Sequence, residues 1–410
     1  MQKAQARVSR RDLLRLGAAG AARVVLPPLP DPARGEPSMA PSGLPAESSL
    51  RFVYGRALFT NVPIYAEPNR AAQKVRSLAQ HEVIAIRGEV KGEAVSRHNA
   101  TWYEVEGGFV HSAGLCPTPW QLQPPRTDAG EAGFWAEVSV PFVVVHQGPS
   151  LKARRSPYRY YGGAVFKVVR VWPSQDSAGE AIPQGALPFG GQARWWYQVE
   201  DEIFPGAYYV PAEYLRPIPP EEFAPIAPDV DPLDKRIVID LREQRLHAYE
   251  RSAEVFSCRV ATGAVLRLKS SGASADFTTT PGEWVVYRKT PSQHMYGGAV
   301  GNDGAFDLPG VPWVSYFTPT GIAIHGVYWH NDFGVPRSHG CVNAPTEAAR
   351  WLWRWTLPAP DYSERYITLP PKERRNPQYG TRVSVLRARS RAAGTVLLPA
   401  AAAGGDGHHN

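Results

Sequence analysis

Cysteine is scarce in this chain: Cys116, Cys258 and Cys341 are the only three in 410 residues, and no C-x-x-C pair occurs. So few scattered thiols exclude a disulfide framework, and an odd count leaves at least one thiol free. A structural zinc site, which takes four ligands and usually paired ones, is not expected either. No run of about 18 apolar residues is present, so no membrane-spanning helix is expected. Basic residues are not clustered with aromatics, which argues against nucleic acid as a partner. The net charge of +7 is modest for this length. It reads as solubility or as attraction to an anionic polymer. What the chain does have is 40 Pro, 37 Gly, 18 Tyr and 12 Trp, a composition suited to a β-rich, turn-rich protein. With 43% apolar residues it can fill the cores of two or three domains.

The first thirty residues read as an address. Ser9-Arg10-Arg11-Asp12-Leu13-Leu14 followed by a short apolar run to Leu26 looks like a twin-arginine export signal (1–30), and no Cys follows it for lipid anchoring. Residues 31–49, rich in Pro, Ser and Ala, form a flexible tether. A diverged repeat comes next. Trp102-Tyr-Glu-Val-Glu106 recurs as Trp196-Tyr-Gln-Val-Glu200, and Val62-Pro-Ile-Tyr65 corresponds to Val140-Pro-Phe-Val143. Short alternating strands closed by a Trp-Tyr pair resemble bacterial SH3-like modules, expected at 50–117 and 133–217 with Pro-rich linkers at 118–132 and 218–233. Such modules could hold a glycan, or their aromatics could simply be core and the barrels spacers.

Residues 234–388 alternate in short strands, including Ile237–Asp240, Leu246–Tyr249, Gly282–Arg288, Val314–Phe317, Ile322–His325 and Thr381–Leu386. One helix is predicted after Pro345, with Ala348, Trp351, Leu352 and Trp355 as its apolar stripe. The fold class is therefore mostly β: two small barrels followed by a β-sandwich with one notable helix. Residues 389–410, ending in His408-His409, read as a disordered tail with weak metal affinity at most. The chemistry concentrates in His325–Asn343, which sets Cys341 among His325, His330 and His339. A free thiol titrates at about 8.5 and needs a base to attack near neutrality. Cys341 as nucleophile with His325 as general base and acid is the pairing on which cysteine acyltransferases and hydrolases are built. The helix after Cys341 is expected to place its N-terminus near the sulfur and favour the thiolate.

His325-Gly326 followed by Ser338-His339-Gly340-Cys341-Val342-Asn343 resembles the signature of the L,D-transpeptidases, the YkuD-type peptidoglycan cross-linking enzymes. Thr280-Pro281-Gly282 and the closing strand at Gly380–Leu386 agree with it. The resemblance implies that the carbonyl of Gly326 orients His325 and that backbone N–H groups of His339, Gly340 and Cys341 form the oxyanion hole. It also implies that Ser338, Asn343, Tyr328, Trp329, His330 and Arg337 bind substrate or line the cleft, under a flap of Met295–Gly298 and Asn302–Val311. Neither Asp307 nor Asp332 should be essential, and no cofactor or metal is needed. The partner would be a peptidoglycan tetrapeptide stem, with 3→3 cross-linking and release of D-Ala, and carbapenems would acylate Cys341. Water or a protein amine as acceptor would make the same site an L,D-carboxypeptidase or an anchoring enzyme. A non-catalytic wall-binding scaffold and a general secreted cysteine peptidase are the alternatives from other classes.

Overall fold

The computed structural model describes residues 53–177, 182–183, 185–267, 274–297 and 305–387. The expected export signal, tether and C-terminal tail lie outside the described residues. The first β domain holds β1 (Tyr54–Ala57), β2 (Val62–Tyr65), β3 (Lys74–Leu78), β4 (Val83–Ser96), β5 (Asn99–Val105), β6 (Gly108–His111) and β7 (Leu115–Thr118). The second holds β8 (Phe134–Val138), β9 (Phe142–His146), β10 (Arg155–Tyr161), β11 (Val165–Pro173), β12 (Trp195–Glu200), β13 (Tyr208–Pro211) and β14 (Leu215–Pro217). Their strand orders, β3-β2-β6-β5-β4-β1-β7 and β10-β9-β13-β12-β11-β8-β14, are one topology used twice. The repeated Trp-Tyr-x-Val-Glu stretches fall on equivalent strands, β5 and β12, where Trp102 and Trp196 are both fully buried.

The third domain begins with β15 (Lys235–Asp240), β16 (Arg245–Glu250), β17 (Ala253–Arg259), β18 (Val265–Arg267), β19 (Ser274–Asp276) and β20 (Gly282–Val285). It continues with β21 (Arg288–Gly297), β22 (Phe306–Tyr316), β23 (Ala323–Gly326), β24 (Val342–Ala344), the helix α1 (Thr346–Trp355), β25 (Ile367–Thr368) and β26 (Arg382–Leu386). Two five-stranded sheets, β17-β16-β15-β26-β20 and β24-β23-β22-β21-β25, carry the domain. Period-two alternation is clean where one face meets the core: Ile237 and Ile239 on β15 are buried opposite Val383 and Val385 on β26. Helix α1 buries Ala348, Ala349, Trp351, Leu352, Trp353 and Trp355. Its C-terminal carbonyls are met by two buried lysines, Lys235 Nζ on Trp355 and Lys289 Nζ on Thr356 and Pro358. No helix among the described residues is long and apolar enough to cross a membrane.

The segments read as linkers are packed parts of the fold. Trp120 lies against Tyr54 and Phe189, and Phe223, on a short 3-10 turn, is buried among Trp313, Trp353 and Tyr362. Cores run through domain borders: Trp135 and Val165 of the second domain share one apolar cluster with Ile237, Trp313 and α1, and Tyr328 joins the second domain's cluster. The described part of the stretch expected as a flap belongs to the stem of a long hairpin, β21–β22, paired from Arg288↔Tyr316 to Gly297↔Phe306, while Gly298 and residues 302–304 lie outside the described residues. Sequence periodicity hides it because β21 buries polar residues (Lys289, Thr290, Ser292, Gln293, His294) and β22 carries Pro309 and Pro312. Its register slips between Gln293 and Met295, and at the slip Gly310 adopts φ +70°.

Phe166 of the second domain fills the space that a Cβ at Gly310 would need, at 2.3 Å. Gly310→Ala therefore combines backbone strain with overpacking and is expected to lower stability by about 1–3 kcal/mol. The midpoint of urea unfolding measures it; an unchanged midpoint would mean that the two domains do not interlock here.

Candidate active site

Strands β23 and β24 run parallel in register Ile324↔Val342, His325↔Asn343 and Gly326↔Ala344. Paired residues share a face and side chains alternate, so His325, Asn343 and Cys341 project from one side of the ladder. His325 is buried, and its Nδ1–H donates to the Gly326 carbonyl at 2.9 Å. That bond fixes the tautomer and leaves Nε2 as the basic nitrogen. The carboxylates of Asp332 and Asp307 are engaged elsewhere, on Arg337 and His294. Cys341 is part-buried, its Sγ 3.9 Å from the Gly321 carbonyl and approached by the backbone N–H of Ala323.

The electrostatics differ from the expectation of a helix-activated thiolate. Strand β24 separates Cys341 from α1, so the helix end is spaced away from the sulfur. Burial pushes the thiol up to about 11, with the Ala323 N–H pulling the other way. Burial also pushes His325 down to about 4, partly offset by its bond to Gly326. At neutral pH the resting pair is thiol and imidazole, both uncharged.

The turn before the sulfur is held from behind. Gly340 has φ +123°, and its N–H donates to Ser338 Oγ at 3.1 Å, while Ser338 Oγ donates to the Cys341 carbonyl at 2.5 Å. Thr279 Oγ1 donates to the Gly340 carbonyl at 2.7 Å. Two expectations change here. Ser338 shapes the turn instead of facing substrate, and the Gly340 N–H is occupied, so His339 and Cys341 are the turn's candidate oxyanion donors. His339 lies between the rings of Phe277 and Phe306, at 4.7 and 5.1 Å.

The remaining predicted residues separate into two groups. Trp329 packs with Met295, Leu308, Tyr316 and Cys341 on one small apolar cluster, 5.8 Å from the His325 ring. Asn343 Nδ2 donates to His330 Nε2 at 2.8 Å, both side chains being buried. Asn343 Oδ1 and His339 Nε2 are buried without a hydrogen-bond partner among the described residues, two polar atoms that a bound amide could satisfy. Tyr328 does not line an open cleft: its hydroxyl donates to Pro309 O and its ring stacks on Tyr161 of the second domain. Arg337 is turned onto Asp332.

The loop between His325 and the Ser338–Cys341 turn is gripped by the first domain. Buried Arg56 donates to the Tyr328 carbonyl at 2.6 Å, Asn99 to Asp332 at 2.7 Å, and Asn331 donates to Tyr103 at 2.8 Å. Sequence reasoning missed Arg56, Asn99, Tyr103 and Asn331, and also Tyr316, Phe277 and Thr279. Only Thr279 had a local signal, standing next to the Thr280-Pro281-Gly282 turn.

Residues 234–385 match the family described as YkuD, L,D-transpeptidase catalytic domain. No curated protein matches the chain. Among solved structures, an L,D-transpeptidase from Mycobacterium smegmatis is similar at 16% identity and a TM-score of 0.28, over 38% of this chain and 59% of that one. An L,D-transpeptidase (residues 123–326) from Xylanimonas cellulosilytica is similar at 27% identity and a TM-score of 0.26, over 37% of this chain and 60% of that one. L,D-transpeptidase 3 from Mycobacterium tuberculosis, solved with a faropenem-derived adduct, is similar at 17% identity and a TM-score of 0.27, over 38% of this chain and 60% of that one. The chain thus spans less than two thirds of these relatives' length. Behind two N-terminal β domains of common topology, residues 234–385 form a YkuD-type L,D-transpeptidase catalytic domain.

Proposed function

We propose that this protein is an exported peptidoglycan L,D-transpeptidase that forms 3→3 cross-links through a thioester on Cys341. The observation that supports it most is the His325 Nδ1–H bond to the Gly326 carbonyl, which aims a neutral base at the face that carries Cys341. Sγ attacks the amide carbonyl after the third stem residue as His325 Nε2 takes the thiol proton. The imidazolium then protonates the leaving amine, the C–N bond breaks and D-Ala departs. The side-chain amine of a second stem attacks the thioester, His325 accepts its proton, and sulfur leaves as the cross-link forms. Backbone donors of the His339–Cys341 turn stabilise the tetrahedral oxyanion, an effect of about 2.7–4 kcal/mol per donor in such sites. The repeated N-terminal domains would be SH3-like modules that present the wall polymer, and the twin-arginine signal would export the chain folded.

The test is incubation with a disaccharide-tetrapeptide followed by mass spectrometry. A dimer that has lost one D-Ala is expected; D-Ala loss without a dimer identifies a carboxypeptidase, and binding without turnover overturns the enzymatic reading.

The acid limb of the reaction carries a second expectation. Protonated His325 cannot accept a proton, so acylation should fall as pH drops through about 4 and stay level from there to neutrality. An exposed imidazole would give a limb near about 6.5 instead. Single-turnover acylation between mildly acidic and neutral pH distinguishes the two.

A further inference from the structure

We propose that His294 is a positioning residue for the cleft: held between Asp201 of the second β domain and Asp307 of the adjacent strand, it fixes hairpin β21–β22 so that Met295 and Leu308 pack on the apolar cluster that also holds Cys341. The proposal rests on Cys341 being the nucleophile. His294 Nδ1 lies 2.5 Å from Asp201 Oδ2, and Nε2 lies 2.5 Å from Asp307 Oδ1. Carboxylates only accept, so both ring nitrogens must carry hydrogen, and the ring is an imidazolium. Losing one proton would set an imidazole lone pair against a carboxylate at hydrogen-bond distance.

Charged and aromatic groups both surround the ring. Glu202 Oε1, also from the second domain, accepts the His294 backbone N–H at 2.5 Å and Gln293 Nε2 at 2.7 Å. Arg365 pairs with Glu202 and Glu200. Tyr158 donates to Asp307 Oδ2 at 3.4 Å and sets its ring edge-on to His294. Phe204 and Tyr296 cover the remaining sides. Burial alone would depress the imidazole, but the two carboxylates override it and push it up to about 9. Relative to an ordinary value of 6.5, the hold is fully present below that value and is lost as pH rises through about 9.

The link to the cleft is strand alternation. Met295 pairs with Leu308 and Tyr296 with Asp307, so His294, Tyr296 and Asp307 share one face while Met295 and Leu308 share the other. The next pair on the cleft face is Gly297 and Phe306, and the Phe306 ring lies 5.1 Å from His339. Met295, Leu308 and Phe306 each stand one position from a member of the clamp, whereas Tyr316, the hairpin's other residue on the cluster that holds Cys341, lies at its far end. The second domain grips the same hairpin twice more, through Ser292 Oγ on Val165 O and Phe166 against Gly310.

The experiment uses the full chain and compares wild type with His294→Gln and Asp201→Asn. Imidazole NMR should give a wild-type His294 titration near about 9, and D-Ala release should decline over the same interval. In Asp201→Asn, which keeps an acceptor and removes a charge, both should move down by about one unit or more. His294→Gln should lower kcat by about 10²-fold, the size expected of a misplacement by an ångström, with KM little changed and the limb near neutrality-to-alkaline pH gone. A merely structural role would lower the unfolding midpoint and leave the alkaline limb in place. Wild-type kcat in His294→Gln, or an unmoved limb in Asp201→Asn, overturns the proposal; if His294→Gln fails to fold, Asp201→Asn decides alone. If the wild type releases no D-Ala, the proposed activity is at fault, and the clamp is judged by the imidazole titration and by alkylation of Cys341 with iodoacetamide. The ratio of wild-type to His294→Gln alkylation rates should then rise towards one as pH passes the titration; a flat ratio counts against the clamp.

Discussion

Cys341→Ala is expected to abolish D-Ala release and dimer formation, a loss of at least about 10⁴-fold, because no other group can carry the acyl chain. Neither remaining cysteine can substitute. Cys258 is buried and pushed up to about 12, and Cys116 is buried with its Sγ on the Tyr328 carbonyl, in another domain. The fold should hardly notice the change. Sγ makes only a long contact to Gly321 O at 3.9 Å and a contact with the Ala323 N–H, and His325 keeps its bond to Gly326. Stability is therefore expected to shift by no more than about 1 kcal/mol. Mass spectrometry after exposure to a carbapenem gives an independent reading: an adduct on the wild type and none on Cys341→Ala. Turnover that survives the substitution would sink the nucleophile assignment while leaving the fold description intact.

Arg216→Met is expected to have the largest effect on stability, a loss of about 3–5 kcal/mol. The guanidinium sits in a buried ionic knot that joins three parts of the chain. Its Nε donates to Glu137 of β8 at 2.5 Å, and its two Nη donate to Glu222 of the connecting segment at 2.7 and 2.8 Å. Glu222 in turn meets Arg350 on α1. Without Arg216, the Glu137 carboxyl group, only 4% exposed, loses its partner in a site from which water is excluded. Chemical denaturation measures the loss. Adding Glu137→Gln should restore part of it, because the stranded charge is the main penalty; no recovery would shift the cause to packing.

The sequence carried the chemistry more openly than the architecture. Cys341, His325 and Gly326 stand within one short stretch, and a thiol, an imidazole and a glycine turn have few other joint uses. The Trp-Tyr-x-Val-Glu repeat was legible because equivalent strands need equivalent core residues, and the matching strand orders follow. Helix α1 was legible from its tryptophan stripe and the proline before it. What stayed hidden depends on contacts between distant residues, which leave no local pattern. Nothing near Arg56 or Asn99 says that they reach a loop more than two hundred positions away. The hairpin β21–β22 was masked because its buried residues are polar and satisfied by other domains. The charge state of Cys341 was misjudged for a related reason: three extended residues, Val342–Ala344, separate it from the helix.

The uncharged resting state of Cys341 bears on its resistance to oxidation. Peroxide and disulfides react with the anionic form of sulfur, and susceptibility follows the fraction in that form. With the thiol near about 11 that fraction is minute at neutrality. A sulfur that keeps its proton at rest is slow to form sulfenic acid.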